Sequence, residues 1–158
     1  MNPLLHLGEA VTAYDAELMR ERDFPLLYEC GVVYQLDPED EPWLTCDQVL
    51  SRGAGDCEDL GGWRAAELRV RGWKALRPGD VGFDAAQALR PATIRAFADV
   101  LDFGPGQYHV VTHFQIGRVM FQDDPSARLG MKLGRIDPLV LSRWSSTGTH
   151  PRVAPRWA

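Results

Sequence analysis

The segment from Arg52 to Trp63, Arg-Gly-Ala-Gly-Asp-Cys-Glu-Asp-Leu-Gly-Gly-Trp, constrains the fold more than any other part of the chain. A glycine-rich turn runs directly into Cys57, and Asp56 is a good N-cap for a helix that begins at this cysteine. Asp59 follows three residues after Asp56, close to a capping-box arrangement. Unpaired backbone N–H groups and the positive end of the helix dipole favour a thiolate in a first helical turn. The segment therefore predicts a nucleophilic cysteine at a helix N-terminus.

The same turn also carries carboxylates that act against this chemistry. Asp56, Glu58 and Asp59 place negative charge around the sulfur, which opposes thiolate formation. Asp56 and Asp59 are explained by capping, whereas Glu58 has no structural role that the sequence indicates. For a cysteine considered alone, a buried structural thiol is the competing interpretation.

Length and composition indicate one soluble domain. At 158 residues, 45% of them apolar and 25% charged, the chain is long enough to bury a core without disulfide or metal staples. The net charge of -5 and the absence of a basic stripe argue against a nucleic-acid partner. No apolar run reaches membrane-spanning length, and the N-terminus lacks the features of a signal peptide. We expect one domain over residues 1–143 and an extended or flexible tail over residues 144–158.

The cysteine count and spacing favour free thiols. Cys30, Cys46 and Cys57 are an odd number without paired spacing, as in a reducing compartment. No Cys-x-x-Cys or His-x-x-x-His pair lies on a predicted turn or helix, so zinc is not expected. The acidic loop at 37–42 lacks the spacing and glycine of a calcium-binding EF-hand. We therefore predict neither a metal nor a cofactor.

Hydrophobic periodicity and capping signals predict most of the helices. Residues 4–21 carry a helical apolar stripe, formed by Leu4, Leu7, Val11, Tyr14 and Leu18. Thr45 to Gln48 form a capping box for a short helix. The helix from Cys57 to about Arg71 contains Gly61 and Gly62, each costing about 1 kcal/mol relative to alanine. Two such glycines indicate that another element approaches this helix closely.

The remaining regions before residue 107 are predicted as one extended segment and two helices. Residues 26–36 suit an extended or strand segment. Residues 83–101 read as helical in two pieces separated by Pro91. The apolar stripe of the second piece consists of Ile94, Phe97, Ala98 and Leu101.

A β-hairpin is predicted in the second half of the chain. Residues 108–116 alternate, with Val110, Thr112, Phe114 and Ile116 on one face and His109, Val111, His113 and Gln115 on the other. Gly117-Arg118 suits a two-residue type II′ turn, with residues 119–123 as the return strand. Asp124 then faces Val111. It is a diagonal neighbour of His109 and His113, at about 7–8 Å.

These residues together provide the parts for thiol acyl transfer. His109 would withdraw the proton of Cys57, and Asp124 would hold the imidazole in one tautomer. The Cys57 N–H and one further donor would stabilise the oxyanion. Gln48 is a candidate for that donor, although its capping role already explains it, and His113 is the alternative base.

The chain resembles the transglutaminase-like superfamily of papain-like folds. The resemblance rests on Gly-Asp-Cys57-Glu-Asp, Tyr108-His109 and Asp124-Pro-Ser126, which occur in the order of the family's motifs and cover roughly residues 43–131. It implies an α+β fold with the nucleophile at the N-terminus of a central helix packed on an antiparallel sheet. It also implies a triad of Cys57, His109 and Asp124. The sequence from Asp124 to Met131 is similar to short bacteriophage-encoded members of the superfamily.

Two functions remain open from the sequence. The first is cysteine-dependent acyl transfer, with hydrolysis of a peptide, isopeptide or other amide bond favoured over amine transfer, in the cytoplasm and on a peptide or protein substrate. The second is a phage structural or assembly role in the virion or its tail, with the fold retained and little or no catalysis. In that role residues 144–158 would dock on other phage proteins.

Overall fold

Five α-helices and five strands are found in the described part of the computed structural model, which comprises residues 3–37, 42–104 and 107–132. The helices are α1 Pro3–Glu21, α2 Cys46–Arg52, α3 Cys57–Arg71, α4 Phe83–Leu89 and α5 Pro125–Arg128. The strands are β1 Val33–Tyr34, β2 Ala54–Gly55, β3 Arg95–Gly104, β4 Gln107–Ile116 and β5 Val119–Asp123. The predicted tail at 144–158 and most of the acidic loop at 37–42 lie outside the described residues.

The fold is a mixture of helices and strands in which α3 is central. Strands β3, β4 and β5 form an antiparallel sheet in that order, and β1 pairs with β2 in a two-residue parallel ladder. Helix α1 packs on one side of α3, and β3 and β4 pack on another. The segment 26–36, predicted as extended, contains a 3-10 turn at Leu27–Glu29 and then β1. None of the described helices combines the length and apolarity that a membrane crossing requires.

Helix α1 is present as predicted, but only part of the apolar stripe is buried. Leu7 and Tyr14 of that stripe are 45% and 54% exposed. The buried side contains Leu18 of the stripe together with Gly8, Thr12, Asp15, Ala16 and Met19. The physical reason is close approach: a Cβ at Gly8 would lie 2.6 Å from the Trp43 ring. Small residues on this side let α1 approach its neighbours more closely than the larger apolar side chains would.

The two glycines of α3 confirm the predicted close approach of other elements. A Cβ at Gly61 would lie 2.9 Å from Val110 Cγ1 on β4. A Cβ at Gly62 would meet Thr12 Oγ1 of α1 at 3.6 Å, an ordinary van der Waals distance. Thr112 Oγ1 also donates to the Gly61 carbonyl at 3.0 Å. Gly61 therefore sets how closely the sheet approaches α3.

Because a Cβ has less space at Gly61 than at Gly62, substitution by alanine should have different effects at the two positions. Gly61→Ala should lower the free energy of unfolding by about 1 kcal/mol, because overpacking against β-branched Val110 outweighs the gain in helix propensity. Gly62→Ala should be neutral or stabilise by up to about 1 kcal/mol. Urea denaturation of the two variants checks this prediction. Equal changes in both would contradict the packing described here.

The second predicted helix of residues 83–101 is wrong, because this region forms β3. Its apolar residues fit a helical spacing, but they also fit an alternation in which Ile94, Ala96 and Ala98 are buried. Pairing with the whole length of β4, from Arg95↔Gln115 to Gly104↔Gln107, decides between the two. A long partner strand thus overrides a pattern that is locally ambiguous.

Candidate functional site

Cys57 is the first residue of α3, as predicted. The Asp56 side chain accepts the backbone N–H groups of Glu58 and Asp59 at 3.1 and 3.4 Å. Asp59 Oδ2 in turn accepts the Asp56 N–H at 3.2 Å, which completes the capping box. In the preceding turn Gly53 has φ of 77° and ends α2. The turn and the cap together fix the position of Cys57 at the helix start.

The Cys57 thiol is buried and hydrogen-bonded to a carboxylate. It is 9% exposed and packs with Ala98 and Val110 of the sheet. Its sulfur donates to Glu58 Oε2 at 3.3 Å. Glu58 Oε1 accepts the Tyr108 hydroxyl at 2.6 Å, so the 8% exposed carboxylate bridges the thiol and β4. Glu58, which had no structural role in the sequence, therefore binds the thiol directly.

The electrostatics of this position favour the protonated thiol. Burial, followed by the negative charges of Glu58 and Asp56, raises the pKa of the Cys57 thiol well above its ordinary value. A backbone hydrogen bond from Val110 acts in the opposite direction. Burial, with Glu58 as the next cause, also raises the pKa of Asp56 to about 8. The helix N-terminus favours the thiolate, but this effect is outweighed by burial of the sulfur and by the carboxylates in the same turn.

The predicted hairpin register is confirmed, and it brings His109 to Asp124. Strand β4 pairs with β5 from Ile116↔Val119 to Thr112↔Asp123, and Gly117 in the turn has φ of 60°. His109 Nε2 lies 2.9 Å from Asp124 Oδ2. Because an ionised carboxylate only accepts hydrogen bonds, Nε2 is assigned as the donor to Asp124, and Nδ1 is left for a second partner.

The His109–Asp124 pair and the thiol are neighbours through Val110 but share no hydrogen bond within the described residues. Val110 packs against Cys57 and Gly61, and strand alternation directs the next side chain, that of His109, toward the other sheet face. The described pairing of β5 ends opposite Thr112, beyond which no β5 residue pairs with His109 or Val110. The structure therefore brings two of the three predicted residues together and holds the thiol on Glu58.

His113, the alternative base, is occupied by other partners. Its Nδ1 lies 3.0 Å from Asp99 Oδ2, and its Nε2 lies 2.9 Å from Gln122 Oε1. The imidazole therefore joins β3, β4 and β5 on one face of the sheet. Burial works to lower the pKa of His113, but the hydrogen bonds to Asp99 and Gln122 raise it above its ordinary value overall. This arrangement suits an imidazolium that stabilises the sheet.

A stability effect that depends on pH follows from the raised pKa of His113. The protonated form is bound more tightly in the folded state, so its contribution is fully present below the unfolded pKa of about 6.5. It is lost as pH rises through the higher folded pKa. Relative to His113→Gln, the wild type should be more stable by about 1–2 kcal/mol at low pH, and the difference should shrink at high pH. Urea denaturation between about pH 5.5 and 8.5 checks this, and a difference that is independent of pH would contradict it.

Gln48 has the capping role that its sequence position indicates. Its Oε1 accepts the Thr45 N–H at 2.9 Å, which is the reciprocal half of a capping box. The Gln48 side chain is exposed. As an oxyanion donor Gln48 remains a prediction.

Two groups of acidic and thiol ligands lie close enough to surround an ion. They are Asp56, Cys57 and Glu58, and Asp37, Asp56 and Asp59, with the ligand atoms of each group within 4.8 Å of one another. Several of these atoms already have partners: Asp56 caps α3, and Glu58 accepts from Cys57 and Tyr108. Capping and the thiol contact explain both groups without a metal.

The sequence did not predict the contact of Tyr108 with Glu58 or the buried ion network beside the hairpin. Arg64, 1% exposed, donates from Nε to Asp123 Oδ2 at 3.0 Å. The hairpin register contained a signal for this contact, since it pairs Asp123 with Thr112 on the sheet face that contacts α3. The contact of Tyr108 with Glu58 had no comparable signal.

Comparison with known proteins found no match: no family model, no curated protein and no solved structure matches this chain.

Proposed function

We propose that the chain catalyses acyl transfer through Cys57, with His109 as the base and Asp124 as the residue that orients it. The observation that supports this most is the 2.9 Å contact of His109 Nε2 with Asp124 Oδ2, one residue from the strand position that packs on Cys57. A carboxylate bound to Nε2 leaves the Nδ1 lone pair for a thiol proton. The carboxylate also stabilises the imidazolium that results.

The proposed reaction begins with a change of partner at the sulfur. The thiol leaves Glu58, and the His109 side chain, which strand alternation directs away from α3 in this structure, must come within reach of the sulfur. The thiol proton then passes to His109 Nδ1 as the sulfur attacks the carbonyl carbon of an amide. The oxyanion that forms is stabilised by the Cys57 N–H at the start of α3. The imidazolium returns its proton to the leaving amine, and a thioester remains on Cys57. Water then attacks the thioester with His109 as base, which gives a carboxylic acid and the free thiol.

The proposed substrate class is a peptide, isopeptide or other amide bond, with hydrolysis as the favoured outcome. The resemblance to transglutaminase-like proteins supports this class, and the order of Cys57, His109 and Asp124 along the chain agrees with it. Among the described residues no separate site for an amine acceptor is evident, which favours water as the second nucleophile.

A non-catalytic role as a phage structural or assembly protein is the second candidate. One observation favours it specifically: burial and the charges of Glu58 and Asp56 raise the pKa of Cys57. Such a thiol suits a retained core residue as well as a nucleophile at rest. Under this alternative, Cys57→Ala would leave every function of the chain intact.

Trapping of a thioester tests the proposal. The protein is incubated with peptides from a digested protein mixture, with and without hydroxylamine, and the products are read by mass spectrometry. We expect new carboxylic acids in water and hydroxamates with hydroxylamine. Both should be lost in Cys57→Ala and retained in Cys30→Ala, which removes a part-exposed thiol elsewhere. Equal product in both variants, or no product in the wild type, would contradict catalysis by Cys57.

A further inference from the structure

Arg64 occupies an unusual position relative to the candidate site. It lies on α3 seven residues after Cys57, which is about two helical turns. Its side chain is 1% exposed, and a buried guanidinium is costly unless its donors are paired. Through those donors it reaches both chain segments that flank Asp124.

The first connection runs to the residue before Asp124. Arg64 Nε donates to Asp123 Oδ2 at 3.0 Å, and the Tyr28 hydroxyl donates to the same oxygen at 2.8 Å. Asp123 is the last residue of β5. Arg64 thus holds the end of the strand that leads into Asp124.

The second connection runs to the helix after Asp124. Arg64 Nη2 lies 3.4 Å from Asp80 Oδ2, and Asp80 Oδ1 lies 2.6 Å from Arg128 Nη1. Arg128 ends α5, whose N-cap is Asp124 itself, with Oδ1 accepting the Ala127 N–H at 3.1 Å. We call Arg64, Asp123, Asp80 and Arg128 the Arg64 network.

The Tyr28 ring joins the two connections. The Arg64 guanidinium carbon lies 4.7 Å from the ring centroid, and that of Arg128 lies 3.8 Å from it. Cation–π contact of this kind adds to the hydrogen bond that Tyr28 makes to Asp123. The turn that carries Asp124 is therefore held on both sides by groups attached to one guanidinium.

We propose that Arg64 is the positioning residue of the His109–Asp124 pair, which it holds in register with the helix that carries Cys57. This inference rests on the proposed function. Asp124 has no bond to α3 of its own among the described contacts, so its place relative to the helix is set by its neighbours in the chain. The Arg64 network transmits the position of α3 to those neighbours, and catalytic groups need such support to keep their geometry.

A matched set of variants separates positioning from simple stability. Asp123→Asn weakens the first connection, and Arg128→Gln breaks the second at a side chain that is 39% exposed. Glu67→Gln is the control, because Glu67 Oε2 lies 2.6 Å from Arg64 Nη1 with the same burial but does not lie between Arg64 and Asp124. Folding stability of all three is measured by urea denaturation.

The decisive readout is the proton on His109 Nε2, followed by NMR in protein with labelled histidine. We expect slow solvent exchange in the wild type and in Glu67→Gln, and exchange at least about tenfold faster in Asp123→Asn and Arg128→Gln. Wild-type exchange in Asp123→Asn and Arg128→Gln would overturn the proposal. Equally fast exchange in Glu67→Gln, with a similar loss of folding stability in all three variants, would also overturn it, since the effect would then follow stability alone.

A second readout separates this inference from the proposed function. Alkylation of Cys57 by iodoacetamide is measured in the same variants and in His109→Gln, all in a Glu58→Gln background, in which the thiol is released from the Glu58 carboxylate. If the His109 proton depends on the Arg64 network while His109→Gln leaves alkylation unchanged, the positioning role stands and acyl transfer by the triad fails. If His109→Gln slows alkylation while Asp123→Asn and Arg128→Gln leave the exchange of the His109 proton unchanged, the positioning role is overturned and the triad stands.

Discussion

Glu58→Gln should accelerate alkylation of Cys57 by iodoacetamide at pH 7 by about tenfold. The Glu58 carboxylate lies 3.3 Å from the sulfur, accepts its proton and is buried at 8% exposure. Two negative charges at such a distance repel by several kcal/mol at the effective dielectric of a protein, so removing the carboxylate favours the thiolate. Part of this gain in rate is lost because a less basic thiolate is a weaker nucleophile.

The control for this variant changes the net charge without touching the site. Glu17→Gln removes a carboxylate that is exposed on α1, where it pairs with Arg20. It should leave the alkylation rate of Cys57 unchanged, because exposed charges at a distance are screened by salt. Equal rates in Glu58→Gln and the wild type would show that Glu58 does not hold the thiol in its protonated state.

Arg64→Leu should produce the largest loss of stability, about 3–5 kcal/mol. Removing the guanidinium leaves three buried carboxylates, those of Glu67, Asp80 and Asp123, without the cation that they share. It also leaves the Ala75 carbonyl without its donor, which Arg64 Nη1 supplies at 3.0 Å. Burial works to lower the pKa of Arg64, but the Glu67 and Asp123 carboxylates beside it raise it overall, which favours the charged form.

The same change at another arginine of α3 provides the comparison. Arg69 is 23% exposed and pairs with the 56% exposed Glu9. Arg69 also donates from Nε to the Ala96 carbonyl at 2.7 Å, so Arg69→Leu should cost about 1–2 kcal/mol, since the ion pair itself is in contact with water. Urea denaturation of both variants checks the difference, and similar losses would contradict the importance of the buried Arg64 network.

Much of the candidate site could be predicted from the sequence because the helix caps, the strand alternation and the turn glycine indicate the same local structure. The helix start at Cys57 follows from the Asp56 cap, and the helix end from Gly72. The hairpin follows from residues that alternate between two faces on both sides of Gly117, which suits the turn. Once that register is known, counting places Asp124 near both His109 and His113, and the resemblance prefers His109, which is the histidine that contacts Asp124.

Other features could not be predicted because they depend on distant parts of the chain. β3 was indistinguishable from a helix until β4 was known as its partner, since Ile94 and Ala98 suit both a helical stripe and the buried face of a strand. The contact between Glu58 and Tyr108 joins residues that are 50 positions apart. It depends on where α3 contacts β4, and that contact is set by the close packing of Gly61 against Val110.

The most direct test of the central claim compares Glu58→Gln with the double variant Glu58→Gln/His109→Gln. Once the Glu58 carboxylate is removed, the thiol is free to use His109 as its proton acceptor, and the rate of Cys57 alkylation at pH 7 reports whether it does. We expect alkylation of the double variant to be at least about tenfold slower than that of the single variant. Equal rates would show that His109 does not serve Cys57, and the proposed acyl transfer would be wrong.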